Sequence, residues 1–200
     1  RSLRRLGGDA PPSSLMFAKF SPSGRQAAYV RERNIYVEDL EDRSIRCLTR
    51  TEDPRIINGT ADWVYEEEFD LRDGFSWSPK GDFIAFWQVD SREVPEFPLL
   101  IAGEKLYPKV TWIPYPKVGQ TNPAVRVGVI DLGTQQTRWM DIPGDARNNY
   151  LPRMEWAGGS EELLVQQLNR LQNTNRLLLC DARTGAVKPI LTEQDETWVD

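Results

Sequence analysis

One pattern in this chain constrains its fold more than any other: an aromatic residue, a Ser-Pro-x-Gly turn and an apolar strand, written twice. Phe20-Ser21-Pro22-Ser23-Gly24 leads into Gln26 to Val30, and Trp77-Ser78-Pro79-Lys80-Gly81 leads into Phe83 to Trp87. Proline presets φ at the second turn position and glycine closes the fourth, which suits a type I turn between antiparallel strands. A weaker third copy runs from Trp156 through Gly158 and Gly159 to Val165. The segments downstream of each copy repeat as well. Asn34 to Leu40 and Ser44 to Thr49 match Val127 to Leu132 and Thr137 to Met140, and then Arg176 to Asp181 and Ala186 to Thr192. Each unit therefore holds four short strands, and four-stranded units repeated radially are propeller blades.

The expected fold is all-β, a fragment of a propeller with about three four-stranded blades around 16–49, 74–142 and 151–192. Arg1 to Leu6 reads as the last strand of an earlier blade, and Thr197 to Asp200 as the opening of a later one. With no initiating Met and no leader pattern, the sequence reads as a portion of a longer protein. Two insertions interrupt the repeat, at 53–69 and 90–123. The second is Pro-rich, with Tyr107-Pro108-Lys109 echoed at Tyr115-Pro116-Lys117 around Val110 to Ile113. It reads as an exposed extended segment, since proline suits sheet edges.

Composition removes several function classes. The chain has no histidine, which excludes a Ser-His-Asp triad, an HExxH zinc site and a histidine proton shuttle within it. Lys plus Arg number 25 against 30 Asp plus Glu, a net charge of −5, so nucleic acid is not an expected partner. No apolar run approaches the roughly 20 residues of a membrane-spanning helix. Cys47 and Cys180 each sit in an apolar strand-like run and read as small buried hydrophobes. Asn58-Gly59-Thr60 matches a glycosylation acceptor but is too short a pattern to settle a compartment. Gly74-Phe75-Ser76-Trp77-Ser78 lacks the closing glycine of a nucleophile elbow and falls on a blade strand, so Ser76 reads as structural.

The first insertion holds the one unusual polar pattern, Asp62-Trp63-Val64-Tyr65-Glu66-Glu67-Glu68-Phe69. Asp62, or Thr60 before it, can cap a short helix whose early glutamates complement the helix dipole. Three acids on a solvated turn are the bland alternative. The rings of Trp63, Tyr65 and Phe69 suggest instead a segment anchored by its aromatics, with carboxylates held in place. Neighbouring glutamates on a helix point about 100° apart and can converge on one small cation. A peptide α-ammonium, with three N–H donors, fits two carboxylates. Calcium needs six to eight oxygens from a spaced loop, which this octapeptide lacks, and no metal or cofactor is expected.

Together with Asn58-Gly59, Trp77-Ser78-Pro79, Glu93-Val94-Pro95, Ile113 to Lys117 with Asn122-Pro123, and Leu168 to Asn173, the acidic motif resembles the propeller domain of the dipeptidyl peptidase IV family over nearly the whole chain. The resemblance implies an eight-bladed propeller covering an α/β-hydrolase domain, and a serine exopeptidase releasing N-terminal dipeptides with Pro or Ala second. It implies that Glu67 and Glu68 bind the free N-terminus, supported by Asp62, Trp63, Tyr65 and Glu66. It further implies that Val110, Trp112, Ile113 and Tyr115 belong to an arm that builds a homodimer. Cys180 matches a position disulfide-paired in secreted vertebrate members, but 186–191 offers no cysteine, which points to a bacterial, exported member. A substrate-binding arginine of the family would precede Arg1, and a tripeptidyl branch carries a modified acidic motif. No catalytic residue is expected in this chain. The rival reading is a non-catalytic propeller that only binds proteins, and a G-x-S-x-G beyond Asp200 with downstream Asp and His would separate the two.

Overall fold

The computed structural model describes residues 3–104 and 106–199. Its first sheet is a meander of β1 (Met16–Phe20), β2 (Gln26–Arg31), β3 (Asn34–Asp39) and β4 (Ile45–Cys47). Next in the chain come β5 (Ile56–Asn58), α1 (Trp63–Phe69), β6 (Phe75–Trp77), β7 (Phe83–Asp90), β8 (Glu96–Ile101), β9 (Lys109–Pro114), β10 (Ala124–Asp131) and β11 (Thr137–Trp139). The second sheet orders these as β11-β10-β7-β5, with β6 also on β7, and among the described residues β8 and β9 pair only with each other. The third sheet is again a meander, of β12 (Asn149–Trp156), β13 (Glu162–Asn169), β14 (Thr174–Asp181) and β15 (Val187–Gln194). All pairings are antiparallel. This is an all-β fold made of propeller-like sheets with one short helix.

The repeated sequence signals do repeated structural work. In the first turn Ser21 N–H donates to Gln26 O, Gly24 N–H to Ser21 O and Gln26 N–H to Ser21 Oγ. The second copy uses the same three bonds on Ser78, Gly81 and Phe83. Gly24 and Gly81 stand at φ 69° and 78°, a left-handed conformation that glycine adopts without the penalty a Cβ brings. Between the last two strands of each of the three larger sheets an aspartate folds the chain. Asp39 Oδ1 accepts from Glu41 N–H, Asp131 Oδ1 from Gly133 and Thr134, and Asp181 Oδ1 from Arg183 and Thr184.

Alternation along β7 shows how the sheets stack. Ile84 and Phe86, with Ile130 beside them on β10, face the first sheet and pack with Val30, Ile35 and Val37. Phe83, Ala85, Trp87 and Val89 face the third, packing with Leu151, Met154, Leu163, Val165 and Leu178. A strand buried on both faces reads as a near-continuous apolar run, as Phe83 to Trp87 does. Cys180 lies in the second of these cores and Cys47 is half-buried with Sγ–H on Thr49 O, and both thiols are free.

Three features differ from the sequence reading. The second sheet begins at Ile56, not at Gly74, because β5 supplies the pairing that β6 leaves undone on β7. The Pro-rich insertion is a hairpin that pairs with itself from Glu96↔Pro114 to Ile101↔Lys109. Leu3 to Leu6 and Thr197 to Val199 form no strand: no ladder pairs with either among the described residues, and Val199 N–H makes a single backbone bond, to Gln172 O. Arg1, Ser2 and Asp200, the ends of those two segments in the sequence reading, lie outside the described residues.

Candidate functional site

The acidic helix sits on a loop inserted into the middle of a strand. β5 pairs with β7 up to Asn58↔Gln88, and β6 resumes at Phe75↔Phe86, so only Trp87 lies between. Gly59 N–H donates to Trp87 O and Trp87 N–H to Gly74 O, and Gly74 N–H donates to Gly59 O, closing the neck. A Cβ on Gly74 would stand 2.6 Å from Gly59 C and Thr60 N, so only glycine lets the two backbones cross there. Asn58 is 1% exposed, and its amide donates to Arg33 O and Asn34 Oδ1 and accepts from Gln88 Nε2. An asparagine so engaged is no glycan acceptor in the folded chain.

Beyond the neck, α1 is fixed at both ends. Asp62, not Thr60, is the cap: its Oδ1 accepts from Tyr65 N–H at 3.1 Å. At the other end Asp70 turns left-handed at φ 52°, Leu71 N–H returns to Tyr65 O, and Arg153 Nη1 donates to Phe69 O at 2.8 Å. A cation at a helix C-terminus complements its dipole. Tyr65 is buried, and its hydroxyl accepts from Leu151 N–H at 2.9 Å, tying the helix to β12. Trp63 meets Tyr115 of the arm base with ring centroids 4.2 Å apart, and Phe69 meets Tyr150 at 5.1 Å. Burial raises the Asp62 carboxyl to about 6 despite the backbone N–H bonds that oppose the shift.

The three glutamates differ in their surroundings. All are exposed, but Glu66 pairs with Arg72 at 3.4 Å, whereas Glu67 and Glu68 have no ion-pair partner among the described residues. Glu68 borders a cleft of about 390 Å³ whose walls include Trp63, Phe69, Lys117, Tyr150 and Arg170. Among the described residues no cluster of His, Cys, Asp and Glu could hold a metal ion, and no helix is long and apolar enough to cross a membrane.

In the arm, Val110 and Trp112 are exposed, while Ile113 and Tyr115 are half-buried and Tyr115 packs against Trp63 and Phe97. The exposed apolar surface extends to Tyr107, part of the repeated Tyr-Pro-Lys motif, and to Leu99, Leu100, Ile101 and Leu106, which the sequence reading did not single out. It also missed the arginines. Arg147 clamps the arm at its base, donating to Asp90 O and Asn122 O and pairing with Glu93. Arg153 and Arg170 bind carbonyls of Phe69 and Gln120.

The fold and the site define a propeller segment that presents a short acidic helix from a split strand. Residues 4–200 match the model of the "Dipeptidyl peptidase IV (DPP IV) N-terminal region", and the chain belongs to this family. It is 35% identical to inactive dipeptidyl peptidase 10 of Mus musculus, over 94% of this chain and 24% of that protein. It is 31% identical to a protein of Podospora anserina described as "Probable dipeptidyl-aminopeptidase B", over 88% of this chain and 20% of that one. Among solved structures it superposes on Porphyromonas gingivalis dipeptidyl peptidase 4 with a TM-score of 0.87 and 34% identity, covering 93% of this chain and 26% of that one. The chain thus spans about a quarter of the length of these relatives.

Proposed function

We propose that this chain is the substrate-recognition part of a serine exopeptidase that releases N-terminal dipeptides, Xaa-Pro or Xaa-Ala, and that Glu67 and Glu68 hold the substrate's α-ammonium. The observation that carries this reading is the contrast within the motif: Glu66 is paired with Arg72, while its two neighbours stand without a cation on a helix fixed at both ends. Carboxylates held without a partner repel each other, and a bound ammonium relieves that repulsion while donating two charge-assisted hydrogen bonds. Pinning the N-terminus also sets which carbonyl reaches a nucleophile, because one residue spans at most about 3.6 Å. The nucleophile and its histidine belong to the hydrolase domain that the family reading pairs with this one.

Assembly and compartment rest on the same reading. The exposed hairpin of β8 and β9, with Trp112 and Val110 outward, serves as a homodimer arm. The two free thiols and the likeness to a Porphyromonas gingivalis structure support a bacterial member, and export accords with the family reading.

The test uses the full-length protein. Glu67→Gln and Glu68→Gln should each lower kcat/KM for a Gly-Pro chromogenic substrate by about 2 to 5 kcal/mol, the cost of breaking one side of a desolvated charge pair. Glu66→Gln should cost far less, since Arg72 already holds that carboxylate. N-acylated substrates, having no ammonium, should be poor for parent and variants alike. Unchanged dipeptide release with both Glu67 and Glu68 neutralised would return the motif to a solvated acidic turn.

A further inference from the structure

The cleft beside α1 carries charges of both signs that do not meet each other. Glu68 stands on one wall, and Arg170, at the turn after β13, and Lys117, at the arm base, stand on others. None of the three has an ion-pair partner within 4.0 Å among the described residues. Arg170 is half-buried and directs one amine to Gln120 O. A guanidinium has five N–H donors, so most of this one's remain for a ligand. The Lys117 ammonium lies 4.9 Å from the centroid of the Phe97 ring.

Opposite charges at 4 Å attract by about 4 kcal/mol at an effective dielectric of 20, so neighbours with freedom to move close into a pair. Here each side is anchored separately. Asp62, Tyr65 and Arg153 hold the helix, and the Gln120 carbonyl holds Arg170. Between them lies space of about 390 Å³ bordered by the rings of Trp63, Phe69 and Tyr150. A lone anion entering there meets Glu68, and a lone cation meets Arg170 and Lys117. A ligand carrying both charges, joined by a short apolar stem, satisfies all of them.

We propose that this cleft receives the side chain of an acidic N-terminal residue, Asp or Glu, with Arg170 and Lys117 binding its carboxylate while Glu67 and Glu68 hold the α-ammonium. The proposal rests on the ammonium reading above and makes Arg170 a specificity-determining residue. The rings flank the methylene stem, and the preference falls on the first residue of the substrate, independent of the second.

The experiment compares Glu-Pro, Leu-Pro and Lys-Pro chromogenic substrates in the full-length protein, with equilibrium binding of Glu-Pro-Ala, Leu-Pro-Ala and Lys-Pro-Ala peptides as a readout that needs no turnover. Glu-Pro should be preferred over Leu-Pro, and Lys-Pro should be the poorest. Arg170→Gln should lower the Glu-Pro to Leu-Pro ratio about tenfold, mainly through KM, and Arg170→Lys should restore most of it. Lys117→Gln, which leaves the Gln120 contact intact, should lower the same ratio less, and thermal midpoints separate misfolding from lost selectivity. A ratio unmoved by both Arg170→Gln and Lys117→Gln, or Lys-Pro bound as tightly as Glu-Pro by the parent, overturns the proposal. If Glu67→Gln and Glu68→Gln weaken all three substrates while the ratio ignores Arg170, only the side-chain assignment fails. If those two variants change nothing, the ammonium reading fails and this proposal with it.

Discussion

Asp62 caps the helix through Tyr65 N–H, yet burial outweighs that bond and lifts its carboxyl from 3.8 to about 6. An acid whose folded value is raised binds its proton more tightly in the folded state, so ionising it costs stability. That cost is absent below the unfolded value near 3.8, grows as pH rises, and is complete above about 6. A rise of this size corresponds to about 3 kcal/mol. Asp62→Asn keeps a capping oxygen and removes the charge. The variant should therefore be more stable than the parent at pH 7.5 by about 1 to 3 kcal/mol, a gap that closes toward pH 4 in paired denaturant titrations. A gap independent of pH would mean that the carboxylate is not desolvated. The cap was legible in the sequence as one of two residues, Asp62 or Thr60, because a capping side chain before an aromatic-acidic run is a local signal, whereas Arg153 and Arg170 were not. Both act on backbone carbonyls distant in the chain, and a carbonyl carries no residue-type signature.

At the scale of elements, sequence signals worked where they were local. Serine and aspartate turns recur because one side chain satisfies the neighbouring N–H groups, wherever the turn falls in the fold. β5 escaped because three residues, Ile56 to Asn58, show no readable period, and their strand character comes from pairing with β7. The same pairing gives Gly74 its role. Gly74→Ala drives a methyl into the Gly59 and Thr60 backbone, and overpacking against backbone that cannot yield costs about 1 to 3 kcal/mol or more. Denaturant unfolding should show that loss, and the glutamate site should weaken with it, because the neck sets where α1 emerges. Gly24→Ala is the control: its Cβ meets nothing within 4 Å, so only the cost of its positive φ remains. The arm yields a separate expectation. Trp112 is 58% exposed on a hairpin that pairs only with its own partner strand, so Trp112→Glu in the full-length protein should shift a dimer to monomer in sedimentation. A monomeric parent, or a dimer indifferent to the charge, would remove the arm from assembly.

For the whole molecule, the three larger sheets bury their cores between one another, and the first and third of them leave large apolar side chains exposed. Met16 and Phe20 stand 44% and 68% exposed on the first, and Ile190 and Leu191 47% and 51% on the third. Repeat units without polar caps leave such faces open to any apolar surface. The chain also has no histidine, so nothing here takes the proton from an attacking serine. Two results should therefore coincide for the purified 200-residue chain. It should release no dipeptide from a Gly-Pro chromogenic substrate, and it should self-associate with rising concentration even after Trp112→Glu, because the sheet faces and the arm are separate surfaces. Placing charges at Phe20 and Leu191 should reduce that association where the arm substitution does not. Inhibitor-sensitive hydrolysis by the purified chain would contradict the proposal that this chain recognises the substrate while another domain supplies the nucleophile. A chain that stays monomeric at high concentration would show that these outer faces are stable against water.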